Sequence, residues 1–287
     1  MHKFSLLLLA VAAAVVCRAA KVEEKEIPST AMNKSIKALV VYPDAYAKGD
    51  RRYPVVYMLH GHGDNQTGWV QKGGVAPLAD QHGVIIVCPD AGISWYYDSP
   101  VNPALRYETF VAKELVAWTD ANYRTIAERK ARAIMGLSMG GHGALYLGSR
   151  HTDTFAVAAV MSGGVDVRPF AKQWELENKL GSPKEHPENW DNGAAITNAL
   201  KLKNGELAIS IDCGTGDFFL QVNRNLHTEL QKAKIDHDYT ERPGVHSWVY
   251  WSNSVKYQYL FFHEFLAKQG IGSDGMPATP ATAATAH

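Results

Sequence analysis

Gly136-Leu137-Ser138-Met139-Gly140 is the stretch of the chain with the plainest chemical content. The apolar run RAIMGL leads into it and the small-residue pattern MGGHGALYLGSR leaves it. That order predicts a strand turning sharply into a helix, with the serine at the tip of the turn. The turn lifts Ser138 above the carboxyl edge of a sheet and sets it at a helix N-terminus, where negative charge is favoured. The backbone N–H of Met139 would face the same point. A serine hydroxyl becomes a useful nucleophile only with a base to take its proton and a carboxylate to orient that base. Asp217 closes the turn CGTGD after the run LAISID and is the candidate acid. Asp212 is its rival, less well placed because it belongs to the end of the strand and not to the loop beyond it. His246, in the loop RPGVHSW, is the candidate base, since Pro243 and Gly244 mark a turn there. His227 and His263 fall inside helical patterns and His237 opens a weak strand, positions that suit packing or solvent.

A second glycine-rich turn, His60-Gly61-His62-Gly63-Asp64, follows the run PVVYML. Glycines allow the backbone to approach a substrate carbonyl closely, which makes the N–H of His62 the candidate second donor to an oxyanion. The same residues also read as H-x-H-x-D, the opening of a binuclear zinc site. That reading wants a histidine directly after the aspartate, where Asn65 stands, and further ligands at a suitable spacing are not evident. No metal and no organic cofactor is therefore expected. Trp95, Tyr96 and Tyr97 follow the run VIIVC. They read either as a wall for an aromatic or sugar-bearing ester or as core packing.

These residues need a scaffold, and the pattern around them supplies one. Strand-like runs occupy residues 37–42, 54–60, 84–88, 132–137, 155–161 and 206–211, with 237–241 a weaker one. Several are almost wholly apolar, as strands covered on both faces are. Helical patterns occupy 108–123, 139–150, 220–232 and 248–269. The alternation predicts an α/β fold with a mostly parallel central sheet and helices on both faces. Residues 166–205 break the rhythm with Pro169, Gly181, Pro183 and Pro187, and read as an insertion, either a lid or a solvated connector. Residues 271–287 are low in apolar content and are expected to be a disordered tail. Residues 1–20 carry a basic start, a 14-residue apolar stretch and small residues at Ala19 and Ala20, the pattern of a secretory signal. The stretch is short of the roughly 20 residues that a spanning helix needs, so no membrane span is expected in the mature chain, and a secreted or periplasmic location is. A lipid anchor on Cys17 is the variant reading, disfavoured by Val16 before it. The domain proper is then residues 21–270.

Composition narrows the function. Lys+Arg and Asp+Glu are 29 each, and loss of residues 1–20 leaves 27 against 29. A chain without a basic field has little to attract phosphates, so nucleic acid is not an expected partner. Cys88 and Cys213 end apolar runs and read as small buried hydrophobes.

The segments VVYMLHGHGDNQTGW, SWYYDSP, YETFVAKELVAWTDANYRTI, RAIMGLSMGGHGAL, CGTGDFF and PGVHSWVYW together resemble the esterase family of α/β-hydrolases. That group includes feruloyl and acetylxylan esterases of carbohydrate esterase family one, tributyrin esterases, S-formylglutathione hydrolases and mycolyltransferases. The resemblance runs over about residues 38–265. It implies the α/β-hydrolase fold, a Ser138–Asp217–His246 triad, an oxyanion hole from the N–H groups of His62 and Met139, and no cofactor. One departure is Gly216, where many relatives have Glu beside the acid. The implied activity is hydrolysis of short or polysaccharide-borne esters, feruloyl or acetyl. Alternatives are acyl transfer through the same triad or a thioesterase of the S-formylglutathione hydrolase kind. Export argues against a cytosolic glutathione thioester.

Overall fold

The computed structural model describes residues 20–272. The expectations for residues 1–19 and 273–287 therefore lie outside the described residues, as does the bulk of the expected tail. Ile271, its first residue, is buried against the last helix.

Eight strands form one sheet: β1 (Lys21–Ser29), β2 (Lys34–Tyr42), β3 (Val55–Leu59), β4 (Ile85–Pro89), β5 (Arg132–Leu137), β6 (Val157–Met161), β7 (Ala208–Gly214) and β8 (Asp238–Arg242). Their order is β1-β2-β4-β3-β5-β6-β7-β8. The β1–β2 and β2–β4 pairs are antiparallel, and every pair from β4 to β8 is parallel. β3, β4, β5 and β6 are buried along their whole length. This is why they read as unbroken apolar runs.

Side chains alternate between two cores. Val55, Tyr57 and Leu59 of β3 face one, and Val56 and Met58 face the other. The helices Met139–Arg150 and Leu220–Lys232 and the helical stretch Tyr107–Asn122 cover the first core. Ala76–His82 and Trp248–Lys268 cover the second. The α/β expectation thus holds, with most element ends within three residues of the pattern.

Three differences have physical causes. β1 was not legible, because KVEEKEIPS reads as a charged run. It is an edge strand paired only with β2, and it needs to bury little more than Ile27 and Ser29. Charges along a free edge also discourage pairing with another chain. The helix Ala76–His82 is too short to show a period. The insertion, expected as a lid or a solvated connector, carries regular structure that the sequence did not show. It forms short helices at Glu177–Leu180, Pro187–Gly193 and Ala195–Ala199, and Leu176, Leu180, Trp190, Ala195 and Ala199 join the core beside the helix Met139–Arg150.

Candidate active site

β5 ends at Leu137 and the next helix begins at Met139, so Ser138 alone makes the turn. Its backbone sits at φ +55° and ψ −118°. That is a region an L-residue enters only when its surroundings hold it there. The surroundings do: Ser138 N–H donates to Met161 O (2.9 Å), and Ser138 O accepts from His142 N–H (2.9 Å) and Gly164 N–H (3.2 Å). The flanking glycines are steric necessities. A Cβ on Gly136 would stand 2.2 Å from Gly140 O, and one on Gly140 would stand 2.2 Å from Leu59 O.

Asp217 and His246 come from the ends of two neighbouring strands. The loop after β7 carries Asp217, whose Oδ1 accepts from Phe219 N–H at 2.8 Å and whose side chain is 0% exposed. The loop after β8 carries His246. Its Nδ1 lies 2.9 and 3.0 Å from the two Asp217 oxygens, and its Nε2 lies 2.9 Å from Ser138 Oγ. A nitrogen facing two carboxylate oxygens must carry the proton, which leaves Nε2 to accept from the serine hydroxyl. Three side chains separated by up to 108 positions are thereby joined in one relay.

Asp212, the rival acid, is held elsewhere. It lies inside β7 and is fully buried, and it accepts from Arg242, the Tyr250 hydroxyl and Gln258.

The loop after β3 lies against the serine turn. A Cβ on Gly61 would stand 2.7 Å from Leu137 Cδ1 and 3.4 Å from Ser138 Cβ. His62 follows directly, in a turn closed by Asp64 N–H on Gly61 O at 3.2 Å. Burial, and then the positive charge of Lys179, hold its imidazole below the ordinary histidine value. Met139 opens its helix, where first-turn N–H groups have no intrahelical acceptor. His60 is spent on structure: Nδ1 donates to Gly61 O (2.8 Å) and Nε2 accepts from Ala91 N–H (2.8 Å). Those bonds give it a packing role in place of the zinc ligation that H-x-H-x-D would require.

Trp95 and Tyr96 are not a wall of the site. They are 1% and 0% exposed. The Tyr96 hydroxyl donates to His60 O at 3.0 Å, so the ring props the β3 loop from beneath. Trp95 packs on His142 and Trp174. The rings beside the imidazole are others. Phe218 lies 4.1 Å from His246 between centroids and Trp251 lies 4.8 Å away, edge-on. Trp174 of the insertion stacks on Phe218 at 6.0 Å. Phe218 is 55% exposed, which a large apolar ring rarely is without cause. Its place directly after Asp217 is a signal that the sequence did offer. Trp174 had only its isolation in a polar segment to mark it.

The family model for "Putative esterase" matches residues 29–260. The chain belongs to this esterase family. That membership agrees with the sheet order and with the serine turn at β5. Among the family's relatives, an esterase of Mycobacterium tuberculosis is 38% identical over 133 residues, 45% of this chain and 29% of that protein. This chain thus spans under a third of that relative's length. An acetyl esterase of Caldicellulosiruptor saccharolyticus is 27% identical over 218 residues, 70% of this chain and 79% of its own. Among solved structures, a ferulic acid esterase superposes with a TM-score of 0.74 at 28% identity, covering 86% of this chain and 99% of that one. Ser138, Asp217, His246, His62 and Met139 all fall within the span that the esterase family matches.

Proposed function

We propose that this esterase is an exported serine carboxylic ester hydrolase that works through Ser138, His246 and Asp217. The single observation that carries the reading is the unbroken relay from Asp217 through His246 to Ser138 Oγ. In the first half-reaction His246 Nε2 takes the hydroxyl proton as Oγ attacks the ester carbonyl. The carbonyl oxygen becomes an oxyanion, received by the N–H groups of His62 and Met139; losing one such donor typically costs about 3 kcal/mol of barrier. Asp217 holds the ring and balances the imidazolium charge. The imidazolium then protonates the leaving alcohol as the ester bond breaks, leaving an acyl group on Ser138. Water, deprotonated by the same nitrogen, attacks that acyl group, and the imidazolium returns the proton to Ser138 Oγ as the acyl–oxygen bond breaks and the acid leaves. Neither step calls for a metal or an organic cofactor.

Feruloyl or acetyl esters on plant cell-wall polysaccharide are the substrates that the exposed Phe218 ring and the half-buried Trp174 suit. The names of the acetyl and ferulic acid esterase relatives support the same choice. Export rests on the pattern of residues 1–20, and no described helix is long and apolar enough to cross a membrane.

The test is a Ser138→Ala variant assayed on p-nitrophenyl acetate, methyl ferulate and acetylated xylan. A loss of about 10⁴-fold or more in kcat/KM is expected; wild-type turnover by the variant would refute the mechanism. Product analysis with and without an added sugar acceptor separates hydrolysis from acyl transfer. Fractionation of cells expressing the full chain tests export.

A further inference from the structure

The loop that carries His246 begins after Arg242, the last residue of β8, and ends at the helix Trp248–Lys268, whose first inward tyrosine is Tyr250. Both residues converge on one carboxylate. Asp212 Oδ2 accepts from Arg242 Nη1, and Asp212 Oδ1 accepts from the Tyr250 hydroxyl. His246 stands four residues after the one and four before the other. The acid loop is fastened to the strand end before the histidine loop by Thr215 N–H on Arg242 O (2.8 Å) and to the loop itself by Gly216 N–H on Gly244 O (2.8 Å). Tyr250 also fills the space against Gly244, where an added Cβ would meet its ring at 2.3 Å. We propose that Asp212 is a positioning residue for the base: one buried carboxylate ties both ends of the histidine loop and so fixes the imidazole between Asp217 and Ser138.

The arrangement is more than a buried ion pair. The Asp212 side chain is 1% exposed while Arg242 is 21% exposed. An unneutralised carboxylate there would be costly. Arg242 neutralises it, and its guanidinium also lies 3.8 Å from the Tyr257 ring on the same helix. The third donor, Gln258 Nε2, is longer at 3.4 Å and lies eight residues beyond Tyr250, outside the loop. Asp212 is thus connected on both sides to the loop that carries the imidazole to Ser138, and on no side to the reacting atoms themselves.

This inference rests on the esterase mechanism above, and its test keeps the two apart. Asp212→Asn keeps the shape of the side chain and removes its charge; Tyr250→Phe removes one hydrogen bond and is the variant that must fold. Active sites are titrated with a fluorophosphonate, and kcat and KM on p-nitrophenyl acetate are read per titrated site well below each Tm. The expected result is a fall in kcat of roughly tenfold or more for Asp212→Asn, because small misplacements of a catalytic group cost that much. A smaller fall is expected for Tyr250→Phe, with KM within about twofold of wild type. The double variant should be no slower than Asp212→Asn, as for groups acting through one link. Gln258→Met, which removes the donor outside the loop and with it the acceptor of the buried Ser210 hydroxyl (2.7 Å), should lower Tm and leave kcat unchanged. A kcat within twofold of wild type in both Asp212→Asn and Tyr250→Phe overturns the proposal, as does an equal loss in Gln258→Met. Full activity in Ser138→Ala would instead sink the mechanism on which it stands.

Discussion

Gly140 shows what a single missing side chain does for this site. Its backbone lies so close to β3 that a methyl group would enter the Leu59 carbonyl at 2.2 Å. Close contact with backbone cannot be relieved by a rotamer change, so Gly140→Ala must push the serine turn away from the loop that carries His62. Overpacking of this kind costs about 1–3 kcal/mol, and a displacement approaching 1 Å can cost about a hundredfold in rate. The variant should therefore show a lowered Tm in a thermal melt and a kcat on p-nitrophenyl acetate at least roughly tenfold below wild type. An active variant of unchanged Tm would mean that the turn tolerates the shift. At this scale the site was largely legible. Ser138 and Asp217 announce themselves by a loop position after an apolar run, His246 by the turn that Pro243 and Gly244 mark after a weak, polar strand, and Asp212 lies within its strand and not in the loop beyond it. Trp95 and Tyr96 were not legible, since adjacency to a strand end does not say whether a ring points at the rim or beneath it.

The insertion is the element that the sequence described least well. Its apolar residues are spread among prolines and charges, so no period emerges, yet it buries Leu176, Leu180 and Trp190 and delivers Trp174 to the side of Phe218. Trp174 and Glu175 both adopt positive φ, +52° and +55°. Lys179 Nζ, nearly buried, reaches the Trp174 carbonyl at 3.3 Å and the Glu175 carboxylate at 3.5 Å. Strain of this kind persists where surrounding contacts over-determine it. If the ring contributes a stacking surface to substrate, its removal should matter in proportion to the flat area offered. An aromatic contact is worth about 0.5–1.5 kcal/mol. Trp174→Ala should thus lower kcat/KM on methyl ferulate roughly two- to tenfold and leave ethyl acetate, which offers no ring, within about twofold. Equal losses on both esters would show that Trp174 only supports the insertion. Strands β3 to β6 were easy to read because both their faces are covered, whereas β1, exposed and charged, carries no apolar mark of its own.

Across the whole molecule, neutral charge and two covered faces leave acid as the condition that strikes the buried titratable groups. His142 sits on the helix behind Ser138, wholly buried among Trp95, Tyr97 and Tyr146. Its Nδ1 faces Gly164 O at 3.2 Å, and its Nε2 has no hydrogen-bond partner among the described residues. A proton added at Nε2 would be an unpaired charge in an aromatic cage, so burial pushes the imidazole down to about 3. His82, buried beside His263, is pushed down to about 4. The unfolded chain protonates both near about 6.5. Below that value the unfolded state binds more protons than the folded one, so stability is complete above it and falls with pH, until the folded groups themselves titrate. Glu108 adds a second stage. Burial opposes its ionisation, but hydrogen bonds from His151, Arg150 and Tyr146 outweigh that and hold it at about 2. Its contribution is present above the ordinary carboxyl value near 4.5 and is lost between there and about 2. The interval from pH 6.5 down to 5 thus isolates the histidines. His142→Gln, with an amide able to donate to Gly164 O, should flatten the loss of unfolding free energy across that interval by up to about 1.4 kcal/mol per pH unit. The measurement is urea unfolding of wild type and variant at half-unit steps. Parallel pH profiles would show that His142 accepts its proton without unfolding, and that the aromatic cage opens more readily than its packing implies.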